Sequence, residues 1–343
     1  MLVQCEKLFG ALIESNVKAL VYGFYGSGAL NLGDLLFKQA FKKLFPDIQF
    51  IFTDYLTRVQ LDAADILIFG GGSFLDAPIN CEDNLFPIDK KIFYIGVGME
   101  TFIHPMHQNL LKQASLIAPR TKTISSNMIG IPDLVYALSV DADIVSKEDI
   151  IPNSVLIIPN AELLSNWNDK QWRHSAWNYF KSQMAQFLDE LKNSGKKIYF
   201  APMSSMSHKH DLGAAVEIIN QMSNRDFTDQ ISLPSDFRQL TNTISRYETI
   251  ISQRFHGSIL ANICKRPCLT ISHHDKLNNT TEITISFYGI SKTKLHQALS
   301  QVKIDKNISS INLNNFGELQ KQFYIKLGTE CQNISASETA KSI

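Results

Sequence analysis

Short apolar runs alternate with helix-like segments along nearly the whole chain, and this alternation limits the fold more than any other feature. The runs lie at 19–23, 48–52, 66–70 and 92–96 in the first half and at 154–159, 197–202, 248–252 and 268–271 in the second. Uninterrupted β-branched and aromatic runs indicate strands that are covered on both faces. Their alternation with helical patterns predicts an α/β chain with parallel sheets and crossover helices.

The length of 343 residues favours two domains. A charged stretch and a proline interrupt the pattern near 147–152. We therefore predict a Rossmann-like N-terminal domain at 1–150, a Rossmann-like C-terminal domain at 151–328, and a disordered polar tail at 329–343. The Trp and Phe stripe between 172 and 191 has helical spacing, which favours core packing over a sugar-stacking platform.

Composition excludes several classes of function. Lys plus Arg and Asp plus Glu both number 33, so no overall charge favours nucleic acid or an anionic membrane. The five cysteines are scattered without a Cys-x-x-Cys pair, and neither a disulfide framework nor a metal site is predicted. No signal-peptide pattern and no membrane-spanning run is present, which predicts a cytoplasmic protein and leaves peripheral membrane association open.

The segment at 251–259 has the strongest functional pattern. An apolar strand ends in Arg254, Phe255 and His256, and Gly257 and Ser258 begin a helical pattern. Arginine binds carboxylate or phosphate, histidine titrates near neutral pH, and a helix N-terminus attracts anions. The alternative is a strand end whose Arg and His only satisfy buried carbonyls. We favour an anion site because the glycine and the helix follow at once.

Glycine-rich turns follow the strands of the first half. The turn at 23–34 ends in Asn31, Gly33 and Asp34, and it matches neither a dinucleotide fingerprint nor a P-loop. Asp34 is a candidate general base, with a helix N-cap as the alternative. Three consecutive glycines precede Ser73 and leave room for a bulky substrate. We therefore expect Gly71, Gly72 and Ser73 to line a binding cleft.

Three further polar segments lie near expected strand ends. Glu100 follows a Gly-x-Gly and is a candidate hydrogen-bond acceptor for a sugar hydroxyl. Lys276 lies beyond the next strand and is a candidate second cation for the anion. Two histidines precede Asp211 at 208 and 210. Without a third convergent ligand, we interpret that segment as a polar loop with Asp211 near a helix start.

Together these motifs resemble the polysaccharide pyruvyl transferase family. The matching elements are an Asn-x-Gly-Asp turn at 31–34, triple glycine at 70–72, Gly-x-Gly at 96–98, Arg120, Asp141, a Ser-x-Arg-x-His-Gly corner at 252–257, Pro267 and Lys276. The chain departs from the family pattern after Arg120, where Thr121 replaces an acidic residue, and at Ala142, where proline is common. These departures affect the acceptor region more than the donor corner.

The resemblance implies a GT-B-like fold in which two Rossmann-like domains face a cleft, with the acceptor on the N-terminal side and the donor on the C-terminal side. It also implies a pyruvyl transferase that uses phosphoenolpyruvate as co-substrate, without other cofactor or metal, and forms a pyruvate ketal on two hydroxyls of a sugar or glycan. The donor residues would be Arg254, Phe255, His256, Gly257, Ser258 and Lys276, and the catalytic residues His256, Arg254 and Asp34. The acceptor residues would be Asn31, Gly33, Asp34, Gly71, Gly72, Ser73 and Glu100.

Two alternatives stay open at the level of sequence. A GT-B nucleotide-sugar glycosyltransferase could hold a diphosphate at the same Arg and helix N-terminus. A non-catalytic carbohydrate-binding protein could retain the same fold.

Overall fold

A computed structural model describes residues 17–23, 31–98, 102–120, 128–161, 170–204, 211–223, 225, 228–272, 281, 283–303 and 314–327. The chain divides into two compact units. Of the described residues, the first unit contains 17–23, 40–98, 102–120, 128–137 and 314–327, and the second contains 31–39 and the described residues between 138 and 303.

The first unit is built on a five-stranded parallel sheet with the order β2-β1-β3-β4-β5. Its strands are β1 (Lys18–Tyr22), β2 (Gln49–Thr53), β3 (Ile66–Gly72), β4 (Lys91–Val97) and β5 (Leu116–Ala118). Its helices are the C-terminal part of α1 (Leu32–Leu44), α2 (Arg58–Asp62), α3 (Pro105–Gln113) and the C-terminal α9 (Asn314–Leu327). All four strand runs that the first half of the sequence predicts are present.

The second unit is built on a six-stranded parallel sheet with the order β11-β10-β9-β6-β7-β8. Its strands are β6 (Ile151–Ile158), β7 (Lys197–Phe200), β8 (Thr228–Gln230), β9 (Tyr247–Ser252), β10 (Cys268–Ser272) and β11 (Ile283–Ser286). Its helices are the first part of α1, α4 (Lys170–Asn193), α5 (Asp211–Gln221), α6 (Phe237–Ser245), α7 (Phe255–Ile263) and α8 (Lys292–Gln301). Two 3-10 helices, Leu134–Asp141 and Lys147–Asp149, lie between β5 and β6.

The limits of the two units differ from the expected boundary near residue 150. Helix α9 belongs to the first unit because Phe323 packs against Phe45 and Phe93, with ring centroids 4.4 and 4.9 Å apart. The start of α1, at 31–39, belongs to the second unit. The expected disordered tail at 329–343 lies outside the described residues.

Each unit has its own buried core. In the second unit, α4 contributes Trp177, Phe180, Met184 and Phe187, each at most 1% exposed. The aromatic stripe of this helix is therefore core packing, as its spacing predicts. No helix in the described part of the chain combines the length and apolar composition needed to cross a bilayer.

Candidate active site

The order of the six-stranded sheet determines where a ligand can bind in the second unit. Strands β6 and β9 are neighbours, and the chain continues from them toward opposite edges of the sheet. Parallel α/β sheets bind ligands beyond the carboxyl ends of their strands at such a switch point. Arg254 and His256 follow β9, and Asn160 follows β6. The Arg-x-His corner thus lies where the topology favours a binding site.

Arg254 is held by Asp211, a partner that the sequence analysis did not assign to it. The Arg254 Nε donates to Asp211 Oδ2 at 3.0 Å, and Nη2 donates to Oδ1. Arg254 is 9% exposed and Asp211 is fully buried. Bidentate pairing of this kind fixes both the position and the plane of a guanidinium.

Asp211 also organises the neighbouring loops. Its Oδ2 accepts the backbone N–H groups of Met203 and Ser204 at 3.1 and 3.0 Å, and its Oδ1 accepts that of Ala161 at 3.1 Å. These amides follow β7 and β6, so one carboxylate connects three strand ends of the sheet. Asp211 is the first residue of α5, as the sequence predicts for a residue near a helix start.

His256 is the second residue of α7, and its imidazole packs on the start of α1. A Cβ added to Gly33 would lie 2.6 Å from His256 Cε1 and closer still to Nδ1. The ring also makes edge-on contacts with Phe37 and Phe255, at centroid distances of 5.0 and 5.2 Å. The imidazole is therefore held from several sides, and only glycine fits at position 33.

The start of α1 is tied to the same cluster. Asn31 Oδ1 accepts the Gly33 N–H at 3.0 Å, which is the bond of a helix N-cap. The interpretation of Asp34 as the N-cap is therefore wrong. Asp34 lies in the first turn, where a carboxylate is favourable near the helix N-terminus. The Leu32 N–H donates to the Met203 carbonyl at 3.0 Å, so α1 and the loop that binds Asp211 are joined.

Gly257 and Ser258 complete the first turn of α7. A Cβ on Gly257 would contact the Ser252 hydroxyl, and it would lie 3.0 Å from Ile158 Cδ1. Ser258 is fully buried, and its hydroxyl is 2.9 Å from that of Thr270 in β10. The Ser258 side chain therefore faces the sheet, and its assignment to donor binding stays a prediction.

In the first unit, the triple glycine lies at the end of a strand. The three glycines are the last residues of β3, and Gly71 and Gly72 have φ values of 70° and 87°. The room at Gly70 is filled by the core, because an added Cβ would lie 2.9 Å from Phe41 Cε2. Of these three glycines, Gly71 and Gly72 are the two whose left-handed backbone requires glycine.

Ser73 belongs to a buried polar cluster in the first unit. Arg120 Nη2 donates to the Ser73 hydroxyl, and Arg120 Nη1 lies 3.3 Å from Asp133 Oδ2. The side chains of Arg120 and Asp133 are 6% and 3% exposed. A Cβ on Gly98 would lie 2.6 Å from Ser73 Oγ, which explains this glycine. The cluster lies at the carboxyl ends of β3, β4 and β5. Asp133 is a partner of Arg120 that the sequence analysis did not identify.

Several predicted residues lie outside the described residues: Glu100, Lys276 and the histidines at 208 and 210. Their assigned roles stay predictions. Within the described ranges, no three His, Cys, Asp or Glu side chains are grouped so that they could hold a metal ion. Burial raises the pKa of the Cys264 and Cys268 thiols to about 12, so neither thiol is a candidate nucleophile.

Comparison with solved structures identifies the fold class. MnaA from S. aureus, in complex with UDP, superposes with a TM-score of 0.55 at 10% identity over 89% of this chain and 91% of that one. UDP-N-acetylglucosamine 2-epimerase from Rickettsia bellii superposes with a TM-score of 0.52 at 12% identity over 92% of this chain and 97% of that one. At such identities the likeness defines only a fold of two parallel-sheet α/β domains, as the sequence predicts. None of the curated proteins compared matches the sequence.

The model of the polysaccharide pyruvyl transferase family matches residues 31–275. This range covers more than half of the chain, and it contains both the Asn31 cap and the Arg254–His256 corner. The chain therefore belongs to the polysaccharide pyruvyl transferase family and is a transferase that acts on glycans, which confirms the resemblance noted from the motifs.

Proposed function

We propose that the protein transfers pyruvate from phosphoenolpyruvate to two hydroxyls of one sugar in a glycan, forming a cyclic ketal and releasing phosphate. One observation carries this proposal: a fixed guanidinium and a fixed imidazole lie two residues apart at a helix N-terminus and a topological switch point. The family membership supports pyruvylation in general terms, and the chemistry of these side chains suits this donor.

Phosphoenolpyruvate carries a carboxylate and a phosphate on a three-carbon unit, so its binding requires several convergent donors. A guanidinium has five N–H donors, and Asp211 takes two of those of Arg254. A guanidinium and the first-turn amides of α7 are groups that suit the carboxylate or the phosphate. Lys276 is the proposed second cation.

His256 is the proposed general acid. As imidazolium it gives its proton to the methylene carbon of the enol, and the neighbouring carbon becomes electrophilic. The packing of the ring on Gly33 holds it in one orientation, so the proton is delivered in one direction.

A sugar hydroxyl then adds to the electrophilic carbon and loses its proton to a base, for which Asp34 and Glu100 are the candidates. The bond from this carbon to the phosphate oxygen breaks, and phosphate leaves with the bonding electron pair. A second hydroxyl of the same sugar adds and gives up its proton, which closes the ketal. One hydroxyl proton replaces the one that His256 donated, and the other leaves with phosphate.

The test is phosphate release from phosphoenolpyruvate with acceptors that contain galactose, glucose or N-acetylmannosamine, followed by mass spectrometry of the product. We expect acceptor-dependent release and a sugar that gains pyruvate less one water. His256→Ala should abolish turnover. His296→Ala is the matched control, because the contacts described for this partly exposed histidine are with Glu190 and Phe187 of α4, and it should retain activity.

A nucleotide-sugar glycosyltransferase is the second candidate, and one feature favours it. A pocket of about 920 Å³ in the second unit is lined by the start of α1 and by the loops after β7 and β8, including Leu32, Lys38, Ser204 and Leu233. Its size is in the range of small-molecule sites. Consumption of a nucleotide sugar without phosphate release from phosphoenolpyruvate would select this candidate. Glycan binding that His256→Ala leaves unchanged, without any turnover, would instead indicate a carbohydrate-binding protein.

A further inference from the structure

Asp211 is a buried carboxylate that binds Arg254 and three backbone amides. Both of its oxygens accept from Arg254, and both also accept backbone amides. The side chain has no exposed area in the folded unit. The amides hold the carboxylate in place, and the carboxylate in turn determines where the guanidinium lies.

The pairing also fixes the plane of the Arg254 guanidinium. Asp211 binds the edge formed by Nε and Nη2. An anion that binds Arg254 therefore meets a guanidinium whose position relative to His256, two residues further on, is fixed in advance. Since the pair has no net charge, Arg254 contributes oriented hydrogen bonds more than net positive charge.

We propose that Asp211 is a positioning residue of the donor site, which acts on phosphoenolpyruvate only through Arg254. This inference rests on the proposed function, because it takes phosphoenolpyruvate as the ligand of Arg254. Asparagine cannot replace Asp211: each carboxylate oxygen accepts at least one amide and one guanidinium N–H, and an asparagine NH₂ would face donors on whichever side it took.

The first measurement is calorimetric binding of phosphoenolpyruvate to the wild type, Asp211→Asn and a matched control, Glu217→Gln. Glu217 is also a carboxylate of the second unit with a cationic partner, Lys181 at 2.8 Å, and it lies on the surface of α5. We expect Asp211→Asn to raise the dissociation constant about tenfold to a hundredfold, which corresponds to the loss of about one charge-assisted hydrogen bond to the ligand. Glu217→Gln should bind as the wild type does.

The second measurement separates positioning from folding. Arg254→Ala leaves a cavity beside the buried carboxylate, so added guanidinium chloride at non-denaturing concentration should restore part of the binding. In the double variant Asp211→Asn/Arg254→Ala, guanidinium should restore nothing, because the group that orients it is gone. If Asp211→Asn does not fold, Asp211→Glu keeps the charge while moving the carboxylate, and it should show the same loss of binding.

The outcomes separate this inference from the proposed function. Unchanged binding in a folded Asp211 variant, or equal rescue of the single and double variants by guanidinium, overturns the inference while the wild type still binds phosphoenolpyruvate. If the wild type itself does not bind phosphoenolpyruvate, the proposed donor is wrong and the inference is overturned with it.

Discussion

Replacing Gly33 with alanine tests whether the contact with His256 or helix propensity determines the effect of a side chain at this position. Gly33 is the second residue of α1. In a helix, alanine is normally more stable than glycine by about 0.5–1 kcal/mol. If local propensity alone mattered, Gly33→Ala would stabilise the protein. The contact with His256 predicts the opposite effect on function.

The structure gives the size of that effect. The new Cβ would lie 2.6 Å from His256 Cε1, whereas ordinary carbon contacts begin near 3.4 Å. The imidazole must therefore move by about 1 Å, the difference between this separation and a normal van der Waals contact. A displacement of about 1 Å in a catalytic group costs about a hundredfold in rate. We expect kcat for phosphate release to fall by about that factor.

The assay compares kcat and thermal unfolding of Gly33→Ala with those of Gly317→Ala. Gly317 is also a helical glycine, in α9, and a Cβ there would meet nothing within 4 Å. The control should gain stability and keep full activity. If the ring does not move, overpacking should instead destabilise Gly33→Ala by about 1–3 kcal/mol. A variant that keeps both wild-type kcat and wild-type stability would refute the reasoning.

Three further predictions concern stability. Phe180→Ala removes a fully buried ring from the core of the second unit and should lower the free energy of unfolding by about 3–5 kcal/mol, as measured by urea denaturation. Burial lowers the pKa of His107 to about 4, so the folded state binds fewer protons than the unfolded one between about pH 4 and 6.5. The free energy of unfolding should therefore fall as the pH is lowered from about 6.5 to about 4. The fall should reach about 3 kcal/mol, and His107→Gln should flatten the pH profile of unfolding; an unchanged profile would assign the proton to another group. Asp133→Asn removes the carboxylate charge 3.3 Å from the buried Arg120 and should cost about 3–5 kcal/mol in chemical denaturation, whereas a loss below 1 kcal/mol would show that the guanidinium does not depend on this charge.

The sequence predicts the framework of the fold because strands of parallel sheets are buried on both faces. Runs such as 66–69 and 155–158 are apolar without interruption, and each lies within a strand. The Arg-x-His corner is also predictable, since a strand, a turn and a helix follow one another locally. The limits of the two units are not predictable in this way, because α9 packs on Phe45 and Phe93 through contacts that no local pattern encodes.

The partners of the site residues escape sequence reasoning for the same reason. Asp211 and Arg254 are 43 positions apart, and nothing in either segment indicates the pairing. The signal in the sequence is that Asp211 begins the helix that follows β7, at the same edge of the sheet as Arg254. The acceptor role assigned to Gly33 stays a prediction, and the sequence does not indicate that this glycine packs against His256.

The surroundings of His256 are not contiguous in the sequence. His256 belongs to the second unit, most of which begins at residue 138. Its imidazole nevertheless packs against residues between 31 and 39, which belong to the same unit but precede residue 138 in the sequence by about a hundred positions. A fragment that begins after residue 137 would contain every strand of the six-stranded sheet and would lack Gly33 and Phe37. Such a fragment could preserve the fold while losing the orientation of its histidine, so cutting or exchanging this protein at the apparent midpoint divides the site as well as the chain.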